Sequence, residues 1–376
     1  MAAVVADAPS LPDLATVATP ALVVDRAVLV ENIDRMAARA ESAGVALRPH
    51  VKTHKSVEVA ALQRARGAAG LTVATLREAE VFVAAGFDDI LIASPPIGGW
   101  RLDRLVELAG HARVRVVVDD ATAVGLLDQA CRRAGVAIGY LWEVDSGVGR
   151  FGTPPGKTTA NLIAAVAEST SNSSFDGLLA FGGHVYAAAN RADVAAAARE
   201  ERAAVTETAA ALADLGIETL IRSVGTTPTA HALDEADGIT EIRPGNYVFY
   251  DATQVALGVV GSDSCALAVL ATVVSRPSPN RAILDCGSKA LAAERISAQS
   301  VGFGFVRDHP NLRVARLYEE QAIVVAEDPF DLPLGTRVEV VPNHACAAVN
   351  LHEQMLVTEN RAVVDVWPVD ARGWGA

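Results

Sequence analysis

Val45-Ala46-Leu47-Arg48-Pro49-His50-Val51-Lys52-Thr53-His54-Lys55 runs from an apolar stretch straight into a cluster of bases. Residues 45–48 read as a short strand, so Lys52 falls in the loop at its C-terminal end. Lysine carries chemistry when its amine is neutral, and a neutral amine needs desolvation or neighbouring positive charge. With Arg48, His50, His54 and Lys55 around it in sequence, Lys52 is a candidate carbonyl-trapping amine. The same residues would also make a solvated basic turn, so the rest of the chain has to decide.

Outward from this stretch, β-branched runs alternate with alanine-rich amphipathic stretches from residue 21 to 255. Strands are predicted at 21–25, 45–48, 71–75, 89–93, 114–119, 140–144, 177–181, 219–223 and 241–244. Helices are predicted between them, among others at 26–42, 56–66, 121–134 and 192–215, from apolar residues at three- and four-residue spacing. Strict β-α alternation implies a parallel sheet, because each crossover needs a helix. A doubly wound sheet or a (β/α)8 barrel satisfies it, and the span matches the roughly 250 residues of a barrel. After residue 255 the helical periodicity fades. Strand-like runs at 265–275, 281–285, 321–326, 337–342, 355–358 and 362–367 predict a mostly antiparallel β domain over 256–376, with residues 1–20 packed against it.

Composition removes several function classes. Hydrophobic residues make up 51% of the 376 and charged residues 20%, the balance of a packed globular protein. A net charge of −13 leaves no basic surplus for nucleic acid. The four cysteines, Cys131, Cys265, Cys286 and Cys346, show no CxxC spacing and read as reduced thiols. No run is long and apolar enough to span a membrane, and the N-terminus has no basic region ahead of an apolar one. A cytoplasmic protein is expected.

Barrel chemistry sits at the C-terminal ends of strands. The polar residues there are Lys52, Arg150, His184 with Tyr186, Ser223-Val224-Gly225-Thr226-Thr227, and Arg243-Pro244-Gly245-Asn246. The Ser223–Thr227 segment supplies hydroxyls, a glycine that lets backbone N–H groups approach an anion, and Pro228 for a first helical turn, an arrangement that suits a phosphate monoester. Gly245 and Asn246, one strand later, would complete that site. In the β domain, His344-Ala345-Cys346 is expected on an extended strand, where residues i and i+2 share a face and imidazole and thiol converge. That pair favours zinc or a similar borderline ion, with coordination positions left for water and substrate.

Five motifs occur in order: Arg48-Pro-His-Val-Lys52-Thr-His-Lys, Ser223-Val-Gly-Thr-Thr-Pro-Thr229, Glu241-Ile-Arg-Pro-Gly-Asn-Tyr247, Asp285-Cys-Gly-Ser-Lys-Ala290 and Pro342-Asn-His-Ala-Cys346. Together they resemble the D-threonine aldolase / D-serine dehydratase group of pyridoxal-phosphate enzymes, over almost the whole chain. That resemblance implies an alanine-racemase-like fold, a (β/α)8 barrel with a C-terminal β domain. It also implies pyridoxal 5'-phosphate, a divalent metal (zinc first, manganese or magnesium otherwise), a small D-amino acid substrate and a homodimer. Carried over by motif, Lys52 would be the Schiff-base lysine, with His50 and Tyr186 against the cofactor and Arg150 at its phenolic oxygen. Ser223, Gly225, Thr226, Gly245 and Asn246 would bind the phosphate. His184 and Tyr186 would face the substrate, and His344 and Cys346 would hold the metal.

Two departures bear on the reaction. Aldolase members often carry a carboxylate two residues after the histidine, where this chain has Cys346, as dehydratase members do. Gln321 stands where many relatives have histidine, so no acid–base role carries over to it. The thiol tilts the expectation toward dehydration of a D-serine-like or D-3-hydroxyaspartate-like substrate to a 2-oxo acid and ammonia. Retro-aldol cleavage to glycine and an aldehyde is the alternative. An amino-acid racemase would share the fold and Lys52 without a metal, and a non-catalytic cofactor carrier would lack the second domain.

Overall fold

The computed structural model describes residues 11–233, 235–297 and 299–373. Of the nine strands expected in the parallel sheet, the first, β1 (Ala21–Asp25), goes elsewhere. The other eight form it: β2 (Ala46–Leu47), β3 (Leu71–Val73), β4 (Asp89–Ile92), β5 (Arg113–Val118), β6 (Ile138–Val144), β7 (Ser173–Ala180), β8 (Ile221–Val224) and β9 (Glu241–Ile242). Their order is β2-β9-β8-β7-β6-β5-β4-β3, parallel throughout. The two ends meet at the opening stretch. Ala69 N donates to Leu47 O and Thr72 N to Pro49 O, both at 2.8 Å, and a parallel bridge joins His50 to Thr72. The sheet therefore closes into a (β/α)8 barrel, and the doubly wound alternative falls away.

Helices cover the barrel. Asp25 caps the helix Arg26–Ser42 by accepting from Val28 N at 3.1 Å, and Gly135, at φ 68°, ends the helix Ala121–Ala134. Inside, Leu91, Val117, Leu141 and Leu179 form a buried apolar plug. Further down the interior, Arg48 pairs with Glu241 and Asp89, and Arg115 with Asp89 and Asp176.

A second, mostly antiparallel sheet of nine strands follows, adding β10 (Leu267–Ser278), β11 (Arg281–Leu284), β12 (Gly304–Val306), β13 (His309–Leu317), β14 (Ala322–Val325), β15 (Arg337–Pro342), β16 (Gln354–Glu359) and β17 (Ala362–Pro368). Here β1 finds its place, antiparallel to β10 and parallel to β16. A boundary at residue 21 thus assigns β1 to the wrong sheet: its run of apolar residues does not say which partner edge it meets. Strands β12 and β13 escape the sequence reading, because Pro310, Asn311 and arginines three residues apart, Arg313 and Arg316, mask the strand period in β13. Within residues 11–20, Leu14 O and Val17 O accept from Arg337 at 2.7 and 2.6 Å, so this segment does pack on the β domain. The earlier part of the expected 1–20 segment lies outside the described residues. Among the described residues no helix is long and apolar enough to cross a membrane.

Candidate active site

Lys52 sits in a single helical turn, Val51–Thr53, directly after β2. Val51 and Thr53 are fully buried and anchor the turn, leaving Lys52 to face a cavity of about 600 Å³ at the C-terminal mouth of the barrel. His50, Arg150, Tyr186, Gly225, Thr226, Gly245 and Asn246 line the same cavity, and His344 and Cys346 close it from the β domain. Ten of the twelve expected residues therefore converge.

The cationic crowd around Lys52 dissolves on inspection. Arg48 is locked into the barrel interior by Glu241 and Asp89, each at 2.7 Å. His54 is fully buried, bonded to Gln63 Oε1 at 3.2 Å, and burial drives it down to about 3, so it is neutral. Lys55 pairs with Glu78 at 3.3 Å. Alternation in a turn sends these side chains in different directions, so sequence proximity did not mean spatial proximity. Only His50 shares the cavity, and it is held well below its usual range by burial first, then by the charges of Lys52 and Arg243. The arginines that share the cavity with Lys52 are instead Arg150 and Arg243.

Phe181 organises this wall. Lys52 Nζ lies 6.0 Å and the Arg150 guanidinium 4.6 Å from its ring centroid. Arg150 also approaches Glu143 at 3.9 Å, whose carboxyl burial pushes up. Arg243 donates to Ser223 Oγ at 2.6 Å and to Ala180 O at 2.7 Å.

Two expected residues are not on the wall. Ser223 points into the barrel, where its hydroxyl donates to Glu241 Oε1 at 2.5 Å and accepts from Arg243. His184 lies in the loop after β7 and turns its Nε2 to Glu200 at 3.1 Å. Gln321 is exposed and likewise off the wall.

The Gly225–Thr229 segment also differs from expectation in detail. Gly225 N donates to the buried Glu201 carboxylate at 2.9 Å, and Thr226 N donates to Thr229 Oγ1 at 2.9 Å in a reciprocal cap. These amides are engaged by the protein. Gly225 is needed for its backbone, at φ 122°, and Gly245 for space: a Cβ there would lie 2.8 Å from His50 O and 2.9 Å from Thr53 Oγ1.

The β domain delivers its pair by a different geometry from the strand expected. β15 ends at Pro342, and His344 becomes the N-cap residue of the helix Ala345–Val349, so Cys346 lies in its first turn. Two residues around a helix start still bring imidazole and thiol within hydrogen-bond reach. Burial favours the neutral form of both. It is outweighed: Cys346 and then Glu294 raise the imidazole well above its usual range, while His344 and then Lys52 lower the thiol. Glu294 holds His344 Nδ1. A thiol whose proton is held less tightly than usual, beside an imidazole oriented by a carboxylate, is the donor chemistry of a zinc-type site with an outer-shell partner. Among the described residues no third His, Cys, Asp or Glu completes a cluster with this pair. On the other walls, His50 Nδ1 and Asn246 Oδ1 are buried without partners beside Lys52 and Arg150, which fits a polar, anionic aromatic group.

Residues 24–253 match the alanine racemase N-terminal domain, and residues 266–358 the putative serine dehydratase domain. The chain is 37% identical over 358 residues to D-threo-3-hydroxyaspartate dehydratase of Delftia sp. (strain HT23), covering 89% of this chain and 92% of that one. It is 36% identical over 366 residues to D-threonine aldolase of an Arthrobacter species, covering 96% and 94%. The chain belongs to the D-threonine aldolase / D-serine dehydratase family. As a member of that family it superposes on a solved D-threo-3-hydroxyaspartate dehydratase, a cysteine-to-alanine mutant in a metal-free form, with a TM-score of 0.90 at 35% identity, covering 96% of this chain and 100% of that one. The expected barrel-plus-β-domain fold and the expected family of lyases agree with these relatives.

The sequence reading passes over Thr53, Glu143 and Phe181, and names Arg243 at a strand end without giving it a role. Each stood in a stretch already singled out at a strand end, so the signal was position. What the sequence lacks is the direction in which each side chain points.

Proposed function

We propose that this chain is a pyridoxal-phosphate- and metal-dependent lyase that dehydrates and deaminates a D-3-hydroxy amino acid to a 2-oxo acid and ammonia. The observation that carries this reading is the meeting of Lys52 with the His344–Cys346 pair in one cavity. Pyridoxal phosphate, when bound, takes up the electron pair released at the substrate's Cα, and a divalent ion polarises the 3-hydroxyl as a Lewis acid. Lys52 would hold the cofactor and move the Cα proton at its Nζ. Gly225, Thr226, Gly245 and Asn246 would line the phosphate side, and Arg150 the ring. The hydroxyl would leave on the face closed by His344 and Cys346, and the soft thiolate supports zinc. Tyr186, half-buried and with its phenol pushed up by desolvation, would stay protonated and able to donate.

A racemase needs no such donor pair, and a carrier needs neither the pair nor the domain that bears it. The test is product analysis of purified holoprotein with D-serine, D-threonine and D-3-hydroxyaspartate. A 2-oxo acid with ammonia is expected, with L-isomers untouched and turnover lost on chelation while the cofactor absorbance stays. Glycine plus an aldehyde would move the assignment to the aldolase reaction, and full turnover in EDTA would remove the metal from it.

A further inference from the structure

Asp251 is fully buried and off the cavity wall, yet it touches both halves of the candidate site. Its Oδ2 accepts from Asn246 Nδ2 at 2.5 Å and from the Ala345 backbone N–H at 2.9 Å. Asn246 belongs to the barrel side of the cavity, and Ala345 is the residue between His344 and Cys346. Its other oxygen, Oδ1, accepts from Gln254 N at 3.1 Å and caps the helix Ala252–Ala256. Capping needs only that bond, so Oδ2 is used solely across the two halves. Thr253 adds a second fastening, donating to Asn343 O from its hydroxyl at 2.7 Å and from its N–H at 3.3 Å. A buried carboxylate is tolerated only when it is fully hydrogen-bonded, and here one oxygen caps a helix while the other spans the joint between barrel and β domain.

We propose that Asp251 is a positioning residue that ties Asn246 to the His344–Cys346 turn, so that the metal pair and the phosphate side of the cavity bind their ligands as a coupled unit. The inference rests on the functional reading above. When one oxygen orders both halves, filling either fixes donors for the other, and the two affinities are linked reciprocally.

The experiment measures zinc affinity by competition with a chromophoric chelator, with and without pyridoxal phosphate, in wild type, Asp251→Ala and Asp251→Asn. Cobalt(II) serves as a second probe, through its thiolate charge-transfer band. Wild type should bind zinc more tightly with the cofactor present. Asp251→Ala should bind zinc about 10- to 100-fold more weakly, lose the cofactor's effect and shift the cobalt band. Asp251→Asn, whose amide oxygen can take the Oδ2 place, should recover part of both. If the alanine variant fails to fold, Asp251→Asn and Thr253→Val must each reduce the coupling. Unchanged zinc affinity and coupling in the folded variants overturn the proposal alone, as does a wild type that binds both groups independently. A wild type that takes up neither group overturns the functional reading and this inference with it.

Discussion

Cys346 Sγ of the β domain donates to Thr53 Oγ1 of the barrel across 3.2 Å, and Thr53 directly follows Lys52. The thiol and the amine are thus held in register through one threonine. Thr53→Val keeps the shape of this fully buried side chain and removes the polar partner. Metal affinity is expected to fall about 10-fold, with the cofactor still bound. Chelator competition and absorbance spectra on the same sample check this. Wild-type metal affinity in the variant would mean that the hydroxyl does nothing for the thiolate.

Gly245 provides the second test, because the loop carrying Lys52 lies directly over it. In Gly245→Ala the new Cβ falls 2.8 Å from His50 O and 2.9 Å from Thr53 Oγ1, so the Val51–Thr53 turn must move. Overpacking of this kind costs about 1–3 kcal/mol. The expected result is a folded protein with much weaker cofactor uptake, read from absorbance after dialysis against pyridoxal phosphate. Cofactor retention equal to wild type would place the phosphate side elsewhere.

Ser223 separates a cofactor role from a structural one. Its hydroxyl joins Glu241 and Arg243, both buried. Ser223→Ala should destabilise the chain by about 1–3 kcal/mol, the cost of leaving buried polar partners short, in urea unfolding. The dissociation constant for pyridoxal phosphate should stay within about twofold. A large loss of cofactor affinity at unchanged stability would restore the phosphate contact that the sequence motif implied.

Legibility follows the physics of each signal. The barrel was readable because strand and helix periods alternate strictly, and the decisive stretch around Lys52 proved to be the seam where the barrel closes. The identity of β1's sheet was not readable, since five apolar-rich residues carry no information on their neighbours. The His344–Cys346 pairing was foreseen from the wrong backbone: a strand and a helix N-terminus both bring i and i+2 together. Arg48 shows the opposite limit. Its basic neighbours in sequence hid its acidic neighbours in space, Glu241 and Asp89.

That relation makes its own prediction. Arg48→Met leaves Glu241 buried without its partner at 2.7 Å, while Asp89 keeps Arg115 at 3.0 Å. A stability loss of about 3–5 kcal/mol is expected. Because Arg48 does not line the cavity, the pH dependence of turnover in the folded fraction should match wild type. A shifted profile would mean that Arg48 tunes Lys52 after all.

His54 gives the chain an acid-sensitive term of known sign. Burial holds it at about 3 in the folded state, against an ordinary value of 6.5, and the unfolded chain takes up its proton near that ordinary value. Between those limits the unfolded state binds more protons, so the stabilisation is complete above pH 6.5 and is lost as pH falls. The slope approaches about 1.4 kcal/mol per pH unit. Buried carboxyls that are pushed up, such as Glu143 and Glu201, act in the opposite sense, so the total curve mixes both. The difference between wild type and His54→Gln isolates the histidine. The advantage of wild type in urea unfolding should be constant from pH 8 to pH 7 and shrink steadily from about pH 6.5 to pH 4.5. A difference that stays flat down to pH 4.5 would show that the folded imidazole is free to take up its proton.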